Sequence, residues 1–233
     1  MARRLLDVAL AALGLVTTAP LLAVAAAGIA LSSPGPILYR AARAGRSGRP
    51  FLMLKLRTMH RRAPGPAEGP AITGHADPRV FPWGAWLRRC KVDELPQLIN
   101  VLRGDMAIIG PRPEDPKFIA QHYATVHRET LAVRPGLASP GSLYSTTHGE
   151  AWLSSQDPER DYIERLLPVK LALDVVYVRR ASLGYDLALI GRTLTVLAGR
   201  ALGRRRFGDP PELREALVLA RAPAPPSKEG RAA

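Results

Sequence analysis

The stretch "KVDELPQLINVLRGDMAIIGPRPE", residues 91 to 114, predicts a helix that starts beside a pair of acidic residues. Its apolar residues recur at the spacing i, i+3, i+4 and i+7, the buried stripe of a helix: Leu95, Leu98, Ile99 and Leu102. Proline is favoured in the first helical turn, because its missing N–H is not needed there. Pro96 therefore places Asp93 and Glu94 at the N-terminal end of this helix, and "MAII" follows as a strand closed by Gly110.

The pair Asp93 and Glu94 has two interpretations. In the first, the carboxylates only stabilise the helix, because acidic side chains at a helix start interact favourably with its dipole and stay ionised. In the second they carry chemistry, because basic residues stand at the boundaries of nearby elements: Lys55, Arg57, Arg88, Arg89 and Arg112. A carboxylate pair among groups that bind phosphate indicates magnesium-assisted phosphoryl transfer or an aspartyl nucleophile.

Arg112 stands between Pro111 and Pro113. The two proline rings fix the backbone on either side of the arginine. Such a rigid setting suits a guanidinium that binds a phosphate through two parallel hydrogen bonds.

Residues 8 to 39 contain no charged side chain. About 20 apolar residues are enough to cross the hydrocarbon core of a bilayer, so this run is long enough to do so. It fits a cleaved signal peptide, a spanning helix, or a helix that enters one leaflet and returns. The signal peptide is the weakest of the three, because the apolar run is longer than a usual signal core.

The charged residues on either side of this apolar run indicate on which side of a membrane its ends lie. Arginines both precede and follow it: Arg3, Arg4, Arg40, Arg43, Arg46 and Arg49. Positive charge at both ends predicts that both ends lie on the cytoplasmic side, which a single crossing does not allow. Pro20, near the middle, removes a backbone donor and kinks or breaks a helix. These features leave the re-entrant and the spanning helix open.

The composition restricts the partners. Lys and Arg outnumber Asp and Glu by 33 to 20, which predicts polyanionic partners such as nucleic acid, anionic lipid or phosphorylated small molecules. Aromatic residues make up only 6%, and the sequence has no zinc-finger or evident helix-turn-helix pattern, so we expect no nucleic acid. The single cysteine, Cys90, excludes an internal disulfide framework and a Cys-based zinc site.

The rest of the chain gives a coarse secondary structure. Strands are predicted in "ILYR" and "PFLMLKLRTM", helices in "WGAWLRR" and "PKFIAQHYATVHRETL", and loops at residues 61–78 and in "VRPGLASPGSLY". Residues 159–206 are predicted to be largely helical. The fold class is therefore α/β and mostly helical, with short strands.

Five segments resemble the bacterial sugar transferases, the monotopic phosphoglycosyl transferases. They occur in the family's order: "KLRTM", "DPRVFPWGAWLRR", "VDELPQLINVLRGDMAIIGPRPE", "VRPGL" and "LALDVVYVRRAS". The apolar run with its central Pro20 is similar to the family's re-entrant membrane helix, with Pro20 at the helix break. The resemblance implies a membrane helix over residues 1–36, a catalytic domain over 37–206 and a flexible tail over 207–233.

The resemblance implies transfer of sugar-1-phosphate from a nucleotide diphosphate sugar, a UDP-sugar by expectation, to polyprenyl (undecaprenyl) phosphate. By similarity, Asp93 is the nucleophile that forms a covalent phosphosugar intermediate, and Glu94 holds Mg²⁺. The residues expected to bind substrate or phosphate are Lys55, Arg57, Arg88, Arg112 and Asp174. The enzyme is expected at the bacterial inner membrane, on its cytoplasmic face and against anionic lipid, where it would initiate polysaccharide or glycoconjugate assembly.

The chain departs from the family pattern at two places. Ala19 precedes Pro20 where the family usually has serine, and "ASPGSLYSTTHGE" follows "RPGL" where another sequence is usual. Two alternatives therefore stay open. One is a family member that has lost its catalytic activity, and the other is a membrane-anchored scaffold or nucleic-acid-binding protein in which the carboxylates only start a helix.

Overall fold

The computed structural model describes residues 1–60, 77–152, 158–204 and 206–221. The chain forms two compact units. The first contains Met1–Gly45 and Arg49–Ile108, and the second contains Arg46–Gly48 and the chain from Ile109 onward. Most described residues are helical, and the strands are few and short, as predicted.

The first unit combines helices with a β-hairpin. Its helices are α1 (Ala2–Ser32), α2 (Pro82–Arg89) and α3 (Gln97–Arg103). Strands β1 (Leu38–Ala44) and β2 (Pro50–Leu56) pair antiparallel, with Leu38 opposite Leu56 and Ala44 opposite Pro50. A buried cluster joins α1, β2 and α2: Ala25, Ile29, Leu56, Phe81, Leu87 and Val92.

Polar contacts attach the N-terminal end of α1 to the rest of the first unit. The guanidinium of Arg4 donates to the carbonyl oxygens of Val101 (2.7 Å) and Leu102 (3.0 Å) at the C-terminal end of α3. The carboxylate of Asp7 accepts a hydrogen bond from the backbone N–H of Ile108 at 2.9 Å. These contacts are about 100 residues apart in sequence, so they fix the helix to the folded body.

Two glycines let α1 approach its neighbours closely. A Cβ atom at Gly14 would lie 3.0 Å from Leu98 Cδ1, and one at Gly28 would lie 2.2 Å from Trp83 Nε1. The indole N–H of Trp83 donates to the carbonyl of Ala25 at 3.3 Å. A side chain at residue 28 would push the indole away and break this packing.

The opposite face of α1 is apolar and exposed. Its exposed residues lie along the whole helix: Leu5, Val8, Leu13, Val16, Leu21, Val24 and Leu31. Among the described residues, α1 is the one helix long and apolar enough to cross a membrane by length and composition. This agrees with the predicted membrane helix.

Helix α1 continues through Pro20 without an interruption. Pro20 therefore does not end the helix, and bending at this residue remains a prediction. On the turns before the proline, the Thr17 hydroxyl donates to the carbonyl of Leu13 (2.9 Å) and the Thr18 hydroxyl to that of Gly14 (2.6 Å). Such back-bonding often accompanies bent helices.

Helix α3 is tied to β2 by the side chain of Asn100. The Oδ1 atom accepts from the N–H of Leu54 at 2.9 Å, and Nδ2 donates to the carbonyl of Leu52 at 2.8 Å and to Asp105 at 3.1 Å. The helix then ends at Gly104, whose φ of 92° is a conformation that favours glycine. The helix predicted after Pro96 is confirmed.

The second unit is built around α7 (Leu167–Arg180), most of which is buried. The other helices are α4 (Pro116–His122), α5 (Pro140–Trp152), α6 (Pro158–Asp161), α8 (Leu183–Ala201) and α9 (Leu213–Arg221). A π-helix, Tyr162–Leu166, joins α6 to α7. The core lies among α5, α7 and α9: Tyr144, Leu166, Val169, Ala172, Leu173, Val176 and Ala216.

A close approach of two glycines shapes the segment after β3 (Ala107–Ile109). The N–H of Gly110 donates to the carbonyl of Ala138 in β4 (Gly136–Ala138), at 2.9 Å. A Cβ atom at Gly136 would lie 2.1 Å from Gly110 N, and one at Gly110 would lie 2.5 Å from the Arg134 carbonyl. Only glycine fits at these two positions.

Three predictions about secondary structure need correction. The helix predicted over residues 116–131 is divided, because Tyr123 and Ala124 are extended between α4 and a 3₁₀ helix, Thr125–Ala132. The loop predicted over 133–144 contains β4 and the start of α5. Part of the predicted flexible tail forms α9, since Ala216 is fully buried against α7.

Two other predicted segments lie largely outside the described residues. They are the loop at residues 61–78, of which 77 and 78 are described, and the end of the tail, residues 222–233.

Candidate active site

The acidic pair lies in a single 3₁₀ turn, Val92–Glu94, between α2 and α3. Lys91, directly before it, has a φ of 59° and a ψ of 16°, the left-handed conformation that residues other than glycine rarely adopt. Backbone strain of this kind is concentrated at functional sites. The left-handed residue reverses the chain after α2, so that Asp93 enters the folded unit.

Asp93 is buried, with 7% of the residue exposed. Its Oδ1 atom has no hydrogen-bond partner among the described residues. Burial raises the pKa of the carboxyl above its ordinary value, and the neighbouring Glu94 raises it further. The charges of Lys55, Lys91 and Arg88 lower it. Burial thus opposes the stabilisation of the anion that a helix start was expected to give.

Glu94 is held by two ammonium groups. The Nζ atom of Lys55, on β2, lies 3.2 Å from Glu94 Oε1, and that of Lys91 lies 3.9 Å from the same atom. Lys55 and Glu94 are both about four-fifths buried, whereas Lys91 is half exposed. The predicted proximity of Lys55 to the acidic pair is therefore seen in the structure.

Arg88 is fixed beside Asp93 by the packing of α2. Its Nε atom donates to the hydroxyl of Thr58 at 2.8 Å. Helix α2 approaches Thr58 so closely that a Cβ atom at Gly84 would lie 2.3 Å from the Thr58 carbonyl oxygen. Burial lowers the pKa of Arg88, and the charge of Asp93 raises it, so the two side chains interact electrostatically.

Arg57 is engaged by the chain that follows α1. Its guanidinium donates to the carbonyls of Ser33 (2.6 Å), Pro34 (3.0 Å) and Pro36 (2.7 Å), and to the Ser33 hydroxyl (2.9 Å). The residue is 6% exposed. These contacts favour a structural role for Arg57, and its part in phosphate binding remains a prediction.

Arg112 lies in the second unit, in the segment that follows β3. The carbonyl of Pro111 accepts a hydrogen bond from the N–H of Gly136 at 2.8 Å, and both Pro111 and Pro113 are buried. The backbone on each side of Arg112 is therefore held, as the prolines predicted. Two residues later, Glu114 Oε1 accepts from the ammonium of Lys170 at 2.6 Å.

Asp174 lies on α7 and is 1% exposed. Its Oδ1 atom accepts a hydrogen bond from the N–H of Gly141, in the first turn of α5, at 2.9 Å. Burial raises the pKa of Asp174 to about 6, although a hydrogen bond from Ser139 and the charge of Lys170 lower it. Asp174 thus stabilises the start of α5, and its predicted contact with substrate remains untested.

The described residues contain no group of three or more His, Cys, Asp or Glu side chains placed to hold a metal ion. Mg²⁺ does not need such a group, because it is usually bound by one or two carboxylates together with substrate phosphates and water. The carboxylate of Glu94, in the same turn as the buried Asp93, fits this kind of site. Glu94 is therefore the residue that could hold the ion.

The structure adds residues that the sequence analysis did not select. Lys91 and Thr58 lie in the site through their contacts with Glu94 and Arg88. Gln97 is fully buried, with both polar side-chain atoms unpartnered among the described residues. Lys91 could have been found because it directly precedes the acidic turn, but nothing in the sequence pattern distinguishes the roles of Gln97 and Thr58.

Known proteins are similar to this chain over most of its length. Residues 1–200 match the family described as bacterial sugar transferase. A UDP-glucose:undecaprenyl-phosphate glucose-1-phosphate transferase of Caulobacter vibrioides is 41% identical over 197 residues, which are 84% of this chain and 69% of the relative.

Two further relatives differ in length. A protein of Escherichia coli strain K12 with the same name as the Caulobacter relative is 34% identical, over 84% of this chain and 40% of the relative. The exopolysaccharide production protein ExoY of Rhizobium meliloti is 32% identical, over 83% of this chain and 84% of the relative. Together with the family match, which covers most of the chain, these likenesses confirm the predicted transferase class. The chain belongs to the bacterial sugar transferase family.

Proposed function

We propose that the protein transfers a sugar-1-phosphate from a UDP-sugar to undecaprenyl phosphate. The names of the Caulobacter and Escherichia coli relatives support both substrates. The observation that carries the proposal is the buried Asp93, whose Oδ1 has no partner among the described residues while the charges of Lys55, Lys91 and Arg88 favour its anionic form. A structural carboxylate at a helix start would instead accept backbone hydrogen bonds.

In the first half of the reaction, Asp93 acts as a nucleophile. One carboxylate oxygen forms a bond to the sugar-linked phosphorus, and the bond from that phosphorus to the bridging oxygen breaks. The electron pair leaves with UMP, so no external oxidant or reductant is needed. A carboxylate needs no general base for this attack, because it is already deprotonated in its reactive form.

In the second half, an oxygen of undecaprenyl phosphate attacks the same phosphorus. The bond from phosphorus to Asp93 breaks, which regenerates the carboxylate and releases the diphosphate-linked sugar. The nucleophile is therefore unchanged after each cycle, and UMP and the lipid product form in equal amounts.

The basic residues stabilise the phosphate charges. Lys55 and Lys91 neutralise Glu94, and Arg88 is fixed next to Asp93. Arg112 belongs to the second unit, and its part in binding phosphate stays a prediction from the sequence. Mg²⁺, held by Glu94, would neutralise the diphosphate so that an anionic nucleophile can approach it.

We infer that α1 lies in one leaflet of the inner membrane, with the catalytic residues on the cytoplasmic face. Both ends of α1 contact the first unit, Arg4 and Asp7 at one end and Ser33 at the other. Its exposed apolar face suits lipid. A polyprenyl substrate cannot leave the bilayer, so a membrane-bound enzyme is required, and the excess of arginine suits anionic headgroups.

The test uses the full chain purified in detergent, with a panel of nucleotide diphosphate sugars, undecaprenyl phosphate and Mg²⁺. We expect release of nucleoside monophosphate by the wild type and none by Asp93→Asn. Asp209→Asn is the matched control, because Asp209 is 71% exposed and belongs to the second unit, and it should retain activity. Release that persisted in Asp93→Asn would exclude the aspartyl nucleophile, and no release with any donor would favour a catalytically inactive member.

A further inference from the structure

Gln97, the first residue of α3, has a side chain that its surroundings do not explain. It is 0% exposed, and neither Nε2 nor Oε1 has a hydrogen-bond partner among the described residues. Asn100, one turn further on, is also 0% exposed, but both of its polar atoms are bonded, to β2 and to Asp105. The same helix thus contains one structural amide and one without a structural partner.

An unpartnered amide in this position is unfavourable for folding. Leaving a buried polar group without a hydrogen bond destabilises a protein by about 1–3 kcal/mol. Most buried polar groups in proteins are bonded, and the exceptions often have a functional cause. A methionine or leucine would fill the same volume without this penalty, so the glutamine indicates a role in the reaction.

The nearest candidate along the chain is Asp93, one turn earlier. The intervening Leu95 and Pro96 have right-handed helical dihedral angles, so Asp93 and Gln97 lie on one continuous helical path. Helical side chains tilt towards the N-terminus, which directs Gln97 towards the turn of Asp93. Glutamine and aspartate separated by three or four residues can form a hydrogen bond on a helix. Asp93 Oδ1 is also buried and unpartnered among the described residues.

We propose that Gln97 is a positioning residue for the nucleophile: its Nε2 donates to Asp93 Oδ1 when substrate is bound. The χ2 torsion angle of an aspartate side chain has a broad distribution, so an unrestrained carboxylate samples many orientations. A donor on Oδ1 restricts this rotation and leaves Oδ2 to form the bond to phosphorus. This inference rests on the proposed function, since it assigns a partner to the proposed nucleophile.

The decisive variant is Gln97→Met, which keeps the length of the side chain and removes its hydrogen bonds. The readouts are the melting temperature, kcat and KM for steady turnover, and the rate of the UMP burst without undecaprenyl phosphate. The burst reports only formation of the covalent intermediate. We expect the melting temperature to rise, because the unpartnered amide is removed, and KM to stay unchanged, while kcat and the burst rate fall by about 10- to 100-fold, the loss typical of a misplaced reacting group.

The matched control is Asn100→Leu on the same helix. It removes bonds that the structure shows, so we expect a lower melting temperature and a burst rate that is unchanged below the melting transition. Gln97→Leu also removes both polar atoms and introduces no ionisable group, and its burst should be as slow as that of Gln97→Met. A burst as fast as wild type in Gln97→Leu would exclude the amide as donor.

The outcomes separate the two proposals. A wild-type burst that Asp93→Asn abolishes supports the proposed function, whatever Gln97 does. If the wild type shows this burst, three results in Gln97→Met would overturn the positioning role. They are a decrease of less than tenfold in the burst rate, a change in KM alone, and a loss of folding. Absence of the wild-type burst would overturn the proposed function, and the inference about Gln97 with it.

Discussion

The Nζ atom of Lys170 lies 2.6 Å from Glu114 Oε1 and 3.0 Å from the hydroxyl of Tyr162. Lys170 is 4% exposed. Burial lowers the pKa of the ammonium, but the charges and hydrogen bonds of Glu114 and Tyr162 together outweigh the burial, and the pKa lies above its ordinary value. The pair links α7 to the segment that carries Arg112, two residues before Glu114. It is therefore a candidate for holding that segment in place.

Replacing Lys170 by methionine should destabilise the second unit strongly. The variant leaves the largely buried Glu114 carboxylate without its cation. Breaking a buried ion pair typically costs about 3–5 kcal/mol. Glu114 is one-fifth exposed, so we expect the lower end of this range. Chemical denaturation in detergent measures the loss, and the double variant Lys170→Met/Glu114→Gln should recover part of it. Arg160→Ala, which removes an exposed pair with Glu164, should have little effect. The prediction would be wrong if Lys170→Met and Arg160→Ala lowered the free energy of unfolding by the same amount.

Asp174→Asn should change how stability depends on pH. The folded-state pKa of about 6 is higher than the ordinary value of 3.8, so the folded protein binds this proton more tightly than the unfolded chain does. The contribution of Asp174 to stability is therefore complete below pH 3.8 and is lost as the pH rises through 6. The difference of about two pKa units corresponds to about 3 kcal/mol.

The measurement is the free energy of unfolding of wild type and Asp174→Asn between pH 4.5 and 7. Asparagine keeps an acceptor for Gly141 and has no charge, so the variant should gain stability relative to wild type as the pH rises. The charged neighbours Lys170 and Glu114 are unchanged in both proteins. A difference independent of pH would mean that Lys170 keeps Asp174 ionised throughout this range.

Arg57→Ala distinguishes a structural arginine from one that binds phosphate. The guanidinium is bonded to the Ser33–Pro36 segment after α1, so its removal should lower the melting temperature markedly. Below that temperature, KM for the UDP-sugar should be close to wild type. The control is Arg88→Ala, because Arg88 lies beside Asp93 and its loss should decrease kcat/KM. A large increase in KM with unchanged stability in Arg57→Ala would instead support the predicted phosphate-binding role.

Local patterns predicted much of the first unit. The apolar spacing after Pro96 predicted α3, and short apolar segments predicted β1 and β2. The sequence singled out Lys55 as one of several basic residues at element boundaries, and the structure places it beside Glu94. The roles of Arg57 and Asn100 could not be predicted, because their partners are distant in sequence and depend on the tertiary structure.

The second unit was harder to predict because its elements depend on packing. Helix α9 follows a Pro- and Gly-containing segment and resembles the start of a disordered tail, but Ala216 is buried against α7. The start of α5 lies in a Pro-, Gly- and Ser-rich sequence typical of loops, and the buried Asp174 stabilises it by accepting from Gly141. In both cases a contact with α7 outweighs the local preference of the chain.

The topology of α1 is tested by cysteine labelling in intact cells. Arg4 and Asp7 near its start and Ser33 just after its end all bond to the first unit. A spanning helix would place its ends on opposite sides of a hydrocarbon core about 30 Å thick, so one set of contacts would break. Cysteines at Ala2 and Ile37 should therefore both react from the cytoplasmic side only.

The labelling needs a cysteine-free background, because Cys90 is the one native cysteine and is exposed. The Cys90→Ser variant provides this background. The control is that Cys90→Ser without an added cysteine is not labelled. A second control is Arg4→Ala/Asp7→Asn, which removes the contacts with Val101, Leu102 and Ile108. If these contacts hold the start of α1, this variant should lose thermal stability. Labelling of Ala2→Cys and Ile37→Cys from opposite faces would show that α1 spans the membrane, and the bonds of Arg4 and Asp7 would then have to be absent in the bilayer.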